Sequence, residues 1–199
     1  MKAICVGHST FDTTLPMDHY PVENIKYRIQ NHIECGGGPA SNGAYLLAKW
    51  GYETTIASVI GEDYYADRII HDFEKIGANT EYLEKREGHS TSSSYIIANV
   101  SNGSRTILSS KKMPPIRKLT EDIYDKADVI LVDGEHPETA HQVLDNNREA
   151  ISVIDAGRLN DDTRALGKKV TYLVCSKDFA EEFSNKKIDV TDKNLLIEI

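Results

Sequence analysis

The sequence predicts an α/β protein: a doubly wound, mostly parallel sheet with a small antiparallel β lid. Three observations carry that expectation. Short β-rich apolar runs alternate with amphipathic helical stretches along most of the 199 residues. Val129 to Val132 is continuously apolar, and Ile151 to Ile154 and Val170 to Val174 are nearly so, broken only by Ser152 and Thr171, as suits strands covered by helices on both faces. Two stretches, Thr10 to Glu34 and Ser92 to Leu108, leave that alternation and carry β-type patterning of their own.

Each element follows from local signals. Lys2 to Val6 is a short strand ending at Gly7. Pro39 to Trp50 sets Ala40, Ala44, Leu47 and Ala48 at helical spacing and closes at Gly51. Thr54 to Ile60 reads as a strand. Glu62 to Ile76 is a second helix, with Tyr65, Ile69, Phe73 and Ile76 on one face and Gly77 as its stop. Within the first excursion, Tyr27 to Ile33 alternates as a strand does. In the second, Ser94 to Val100 and Arg105 to Leu108 flank the turn residues Ser101-Asn102-Gly103, which predicts a hairpin. The two excursions, about 10–36 and 88–110, are expected to form a lid on one domain spanning 1–199. Asp189 to Ile199 opens with a cap at Thr191 or Asp192 and runs apolar to the last residue without a stop signal, so a chain truncated at its C-terminus is expected.

Composition excludes several classes. With 23 basic and 31 acidic residues the net charge is -8, which repels phosphate backbones, so no nucleic-acid partner is expected. No apolar run approaches the ~18 residues of a membrane span, and residues 1–6 are too short for a signal-peptide core. A cytoplasmic protein without a membrane partner is expected. Cys5, Cys35 and Cys175 are odd in number with no Cys-x-x-Cys pair, which suits reduced thiols. His136 and His141 lie five residues apart, so a helix would turn them away from each other, and neither a metal cluster nor a nucleophilic triad stands out.

The densest local feature is Gly36-Gly37-Gly38-Pro39-Ala40-Ser41-Asn42, running straight into the first helix. Glycines let a backbone approach a ligand closely, and a helix start offers free N–H groups and a positive dipole end. Proline presets the first helical φ. The spacing matches neither a P-loop nor a dinucleotide fingerprint. On these residues alone a tight structural entry turn competes with a ligand cradle.

The wider spacing favours the cradle. After Gly37-Gly38 come Asn42, Ala44, Gly51 and Gly61, at the intervals of the first signature of the PfkB carbohydrate kinases. The chain resembles that ribokinase-like family, in its fructokinase and ketohexokinase branch, over nearly its whole length. Gly7-His8-Ser9-Thr10-Phe11-Asp12 resembles the first strand and its acidic substrate residue. Gly61-Glu62-Asp63 resembles the Gly-x-Asp turn, and Thr91 to Leu108, with Gly103-Ser104-Arg105-Thr106, resembles the lid hairpin. Val132-Asp133-Gly134-Glu135-His136-Pro137 and Ile154-Asp155-Ala156-Gly157 continue the pattern.

The resemblance implies transfer of the ATP γ-phosphoryl group to a hydroxyl of a ketose or related furanose, with Mg²⁺. It implies substrate contacts from Asp12, Gly37, Gly38, Asn42, Arg105, Asp155 and Arg158. The bland alternatives are an Asx-type cap for Asp12, a self-bonded helical amide for Asn42, a solvated hairpin arginine for Arg105 and a loop arginine for Arg158. It further implies a homodimer through the lid sheet. The family's Gly-Ala-Gly-Asp motif, which supplies the catalytic base and anion hole, does not occur in this sequence, so no catalytic residue is assigned and most of the nucleotide site is expected outside the chain. Where many members carry Asn-x-x-Glu, Ser176 and Phe179 stand, leaving Ser176 as the one cofactor-contact candidate. A sugar- or nucleoside-binding protein without turnover, and a nucleoside kinase of the same fold, are the competing readings.

Overall fold

The computed structural model describes residues 1–110, 113–117 and 126–189. Its elements are β1 (Lys2–Val6), β2 (Thr10–Met17), β3 (Ile33–Gly37), α1 (Pro39–Lys49), β4 (Glu53–Ile60), α2 (Tyr64–Lys75), β5 (Leu83–Lys85), β6 (Ser93–Asn99), β7 (Arg105–Ser110), β8 (Val129–Val132), α3 (Pro137–Asn146), β9 (Ile151–Ala156), α4 (Asp161–Gly167), β10 (Tyr172–Cys175) and α5 (Lys177–Ser184). The expected cap at Thr191 or Asp192 and the apolar run to Ile199 lie outside the described residues. None of the described helices is long and apolar enough to cross a membrane.

The main sheet has the order β10-β9-β8-β1-β4-β5, and every pairing within it is parallel. Helices bury both of its faces, which explains the continuous apolar runs. On one face α1 and α2 set Ala40, Ala44, Ile69 and Phe73 against Cys5, Ile56 and Ile60. On the other, α3, α4 and α5 set Val143, Leu166 and Phe179 against Ile130, Val132 and Ile154. The chain builds outward from β1 to β4 and β5, then returns to build β8, β9 and β10 on the other side. Strand order therefore reverses between β1 and β8. In open α/β sheets the crevice beyond the carboxyl ends of such strands is where ligands bind.

The lid is a second sheet of order β3-β2-β6-β7. Its outer pairs are antiparallel, but β2 and β6 run parallel, Phe11 opposite Ser93 through Met17 opposite Asn99. The expected antiparallel lid is thus a mixed sheet. The reason is topological: β2 and β6 both leave the body and run outward, and each turns back as β3 or β7. The strand expected at Tyr27 to Ile33 is also displaced. Residues 21–32 form no strand, and β3 begins at Ile33.

The lid's base is bolted to the body. Asp63 caps α2 by accepting the Ala66 N–H at 3.0 Å, and it also accepts the Thr91 N–H and hydroxyl, each at 2.7 Å. The Thr91 oxygen in turn accepts the Gly61 N–H at 3.0 Å. Burial pushes the Asp63 carboxyl up, but the hydrogen bonds from Thr91, Ala66 and Tyr65 outweigh it and hold the group below its ordinary value. On the same side Phe11 stacks on Tyr65 at 4.7 Å between centroids, beneath the Arg68 guanidinium.

Candidate functional site

Two strand ends and one helix start meet at the switch point. Beyond β1 the chain passes Gly7 and His8 into β2. Beyond β8 it reaches Asp133, which is only 9% exposed. The Asp133 carboxylate accepts the N–H groups of His8 at 2.9 Å, Ala40 at 3.0 Å and Glu135 at 3.0 Å. It thereby fastens the β1–β2 loop, the first turn of α1 and its own turn to one point. Burial is the larger influence on this carboxyl and raises it to about 6, against the three N–H donors. Ser9 and Ser41 add a buried hydroxyl–hydroxyl bond of 2.5 Å between the same loop and helix.

The start of α1 is built for close approach. Its N-cap, Gly38, has φ of 100° and offers no side chain, and a Cβ there would collide with the His8 carbonyl. Only glycine suits that combination. Pro39 has no N–H to offer and the Ala40 N–H is taken by Asp133, so the helix start holds a carboxylate of the chain itself. The sequence reading leaves those N–H groups free for a ligand; the structure commits the Ala40 N–H to Asp133.

Asp12 projects from β2 on the same side as Gly37 of β3. Asp12 lies opposite Cys35, and Gly37 lies opposite Thr10. A Cβ on Gly37 would occupy the space of the Asp12 carboxylate. Burial raises the Asp12 carboxyl above its usual range, while the Ser94 and Thr10 hydroxyls pull it down. A half-buried carboxylate beside a bare backbone is a hydrogen-bond acceptor for hydroxyl groups.

The remaining candidates divide into groups. Gly37 and Asn42 line a cavity of about 270 Å³ between β3, α1 and α2, with Cys35, Tyr45 and Asp72. Asn42 is exposed there, and its own N–H closes the first turn of α1 on Gly38. Asp155 and Arg158, both exposed, line a separate cleft of about 540 Å³ with His8, Asp133 and Glu135. Gly38 connects Gly37, which lines the first space, to Pro39, which lines the second. Arg105 is not brought to either. It pairs with Ala98 on the outer lid strand, while Ser109, four residues away, is level with Ser94 and hence with Asp12. Four residues of strand are roughly 13 Å. The Ser176 hydroxyl caps α5 by accepting the Phe179 N–H at 3.1 Å and donates to the Gly157 carbonyl at 3.0 Å.

Asp133 is a site residue that sequence reasoning misses. Its only local signal is an acidic residue followed by glycine at the carboxyl end of an apolar strand. Its partner Ala40 is 93 residues away, and the contact exists only because β1 and β8 are neighbours. The thiols of Cys5, Cys35 and Cys175 are all raised by burial, Cys5 to about 12, so none is an activated nucleophile.

Among the described residues no contact to a nucleotide or a magnesium ion is assigned. Among the described residues no three His, Cys, Asp or Glu side chains form a metal-holding group, the Ser176 hydroxyl is engaged in capping, and Asp133 takes the Ala40 N–H at the start of α1. The arrangement suits recognition of hydroxyl groups.

Comparison with known proteins agrees with the architecture. The model of the pfkB family of carbohydrate kinases matches residues 2–199, and the chain belongs to that family. Mouse (Mus musculus) ketohexokinase is 30% identical over 107 residues, spanning 54% of this chain and 36% of that protein. A ribokinase structure from Giardia lamblia superposes with a TM-score of 0.78 at 16% identity, over 94% of this chain and 61% of that one. The Arabidopsis thaliana ribokinase, solved with ribose and ATP, gives 0.74 at 17% identity, over 95% of this chain and 64% of that one. At those identities the two structures establish the ribokinase-like fold. The chain covers less than two thirds of the length of each of these relatives.

Proposed function

We propose that this chain is the acceptor-binding and lid part of an ATP-dependent sugar kinase acting on a ketose or related furanose. The observation that carries this is the apposition of the Asp12 carboxylate to the bare Gly37 backbone, beside the start of α1 at the switch point of the sheet. In a carbohydrate kinase a hydroxyl donor must be oriented before it can attack a phosphoryl group. Asp12 accepts sugar hydroxyls, the Gly37-Gly38 backbone lies along the sugar, Asn42 adds an amide, and Asp155 and Arg158 face the neighbouring cleft. The similarity to ketohexokinase supports a ketose. The nucleotide and Mg²⁺ would be held by residues other than those described, and no step is assigned to them. Pairing of two chains through the lid accords with Ile107 and Leu108, exposed on the outer strand β7.

The test is ADP release by the protein at its native length, with ATP, Mg²⁺ and a panel of ketoses, pentoses and nucleosides. A ketose that drives ADP release supports the reading. Binding of a sugar without turnover would reduce it to a binding role, and release driven by nucleosides alone would replace the acceptor class.

A further inference from the structure

The loop between β1 and β2 is three residues long and is tied at each of them. Gly7 donates its N–H to the Ala57 carbonyl at 3.1 Å. His8 donates its N–H to Oδ2 of Asp133 at 2.9 Å, and the same oxygen accepts the Ala40 N–H at 3.0 Å. One atom thus pins the entry of β2 to the first turn of α1. The buried Ser9 hydroxyl makes a second tie to α1 through Ser41, at 2.5 Å. Two glycines leave room for the pin. A Cβ on Gly7 would overlap the Asp133 carboxylate, and one on Gly38 would overlap the His8 carbonyl. The two elements so joined each carry a part of the acceptor site. β2 carries Asp12, which its ladder with β3 locks to Gly37, and α1 carries Asn42. That ladder ends at Gly37 and α1 begins at Pro39, so the angle between ladder and helix turns on Gly38, a residue without a side chain to restrain it.

We infer that Asp133 is a positioning residue for the acceptor: by pinning the entry of β2 to the start of α1, its Oδ2 sets the distance from the Asp12 carboxylate to the Asn42 amide. This rests on the acceptor-binding reading and adds the residue that keeps the two halves of that site in register. Hydrogen bonds weaken steeply with distance and angle, so a sugar bonded to both side chains reads that spacing closely. Asp133 touches no sugar in this role. What the role needs is an acceptor oxygen at the Oδ2 position, and the charge of the carboxylate is secondary to it.

The experiment is a calorimetric titration of D-fructose and of D-ribose into the protein at native length and into its variants, each first shown to be folded by thermal unfolding. Asp133→Ala removes the pin and should weaken sugar binding by about tenfold or more, as misplacement of a contact does. Asp133→Asn keeps one carbonyl oxygen, which can accept both the His8 and the Ala40 N–H, and should recover affinity to within about threefold of the unaltered protein. A residue acting through its charge would recover nothing. In Asn42→Ala only one side of the register is left to read, so adding Asp133→Ala there should cost less than about threefold. Ser9→Ala cuts the second tie of the same loop and leaves Asp133 in place. It should weaken binding by about threefold, and it decides the matter if Asp133→Ala does not fold. The inference is overturned, and the acceptor site left standing, by sugar binding that Asp133→Ala leaves unchanged or that Asn fails to restore. Full additivity with Asn42→Ala overturns it too, as does an unchanged affinity in Ser9→Ala where that variant decides. Binding of neither sugar by the unaltered protein overturns the acceptor site and this inference together.

Discussion

The carboxylate of Asp12 lies in the space that a side chain on Gly37 would fill. The pairing register produces this: Thr10 faces Gly37 across the β2–β3 ladder, Asp12 is two residues further along the same face, and its carboxylate leans back over the glycine. The glycine and the acid are one structural unit.

Gly37→Ala should therefore displace Asp12. The expected cost is about 1–3 kcal/mol of stability, as for other overpacked sites, with a loss of sugar affinity of about tenfold or more. Gly36→Ala is the control, since the nearest atom to a Cβ there is Ile69 Cγ1 at 3.9 Å. Denaturant unfolding and calorimetry on both variants decide the matter. Equal effects of the two substitutions would contradict the account.

Asp12→Asn should separate binding from stability. Folding raises the Asp12 carboxyl, so ionisation at neutral pH works against the fold, and removing the charge should leave the melting temperature unchanged or higher. Sugar binding should nevertheless fall by about tenfold or more, because an acceptor is replaced by a donor. A variant that unfolds more easily and keeps its sugar would reverse both expectations.

Asp133 sets a pH dependence. Its folded value of about 6 lies above the ordinary 3.8, so the folded chain holds this proton more tightly than the unfolded chain does. The sign follows: this group's contribution to stability improves as pH falls from about 6 toward 3.8, and its ionisation opposes folding above that window. Wild type relative to Asp133→Asn should gain up to about 3 kcal/mol between pH 7 and pH 4. A carbon-13 titration of the carboxyl with a midpoint below about 4 would refute it.

Thr91→Val removes two bonds to Asp63 and Gly61 while keeping the shape of the side chain. It should cost about 1–2 kcal/mol and let the Asp63 carboxyl rise toward its ordinary value. Since Asp63 is held low, its contribution is present above about pH 4 and lost as pH falls through the folded value. The wild type should therefore lose its advantage over the variant on acidification, measurable by thermal unfolding at pH 7 and pH 3.

Arg105→Ala should change sugar affinity by less than about twofold, since Arg105 stands four residues out from the level of Asp12 and two strands away. A larger loss in a calorimetric titration would mean that the lid closes far enough to carry its tip to the sugar.

How much of this is legible in sequence varies by element. β1 and β8 are readable because strands buried on both faces are predominantly apolar, and β4 through its β-branched run and the apolar residues that follow it. α2 announces itself through its apolar face and Gly77. β5 carries a single buried apolar residue, Leu83, and its three residues give no period. β3 ends in Gly36-Gly37, which lack the side chains that patterning depends on, so patterning places the strand too early. The parallel pairing of β2 with β6 joins residues about 80 apart and has no local trace. In the site, Asp12, Gly37 and Asn42 are visible through the resemblance to the pfkB family. Asp133 is not, because its role comes from the adjacency of β1 and β8.

The central claim is a sugar site centred on Asp12 and Gly37. The most direct test is a calorimetric titration of D-fructose and related ketoses into the protein at native length, alongside Asp12→Asn. Saturable one-to-one binding that the substitution reduces by about tenfold or more is the predicted result. Binding that is indifferent to Asp12, or no binding of any sugar, would contradict it.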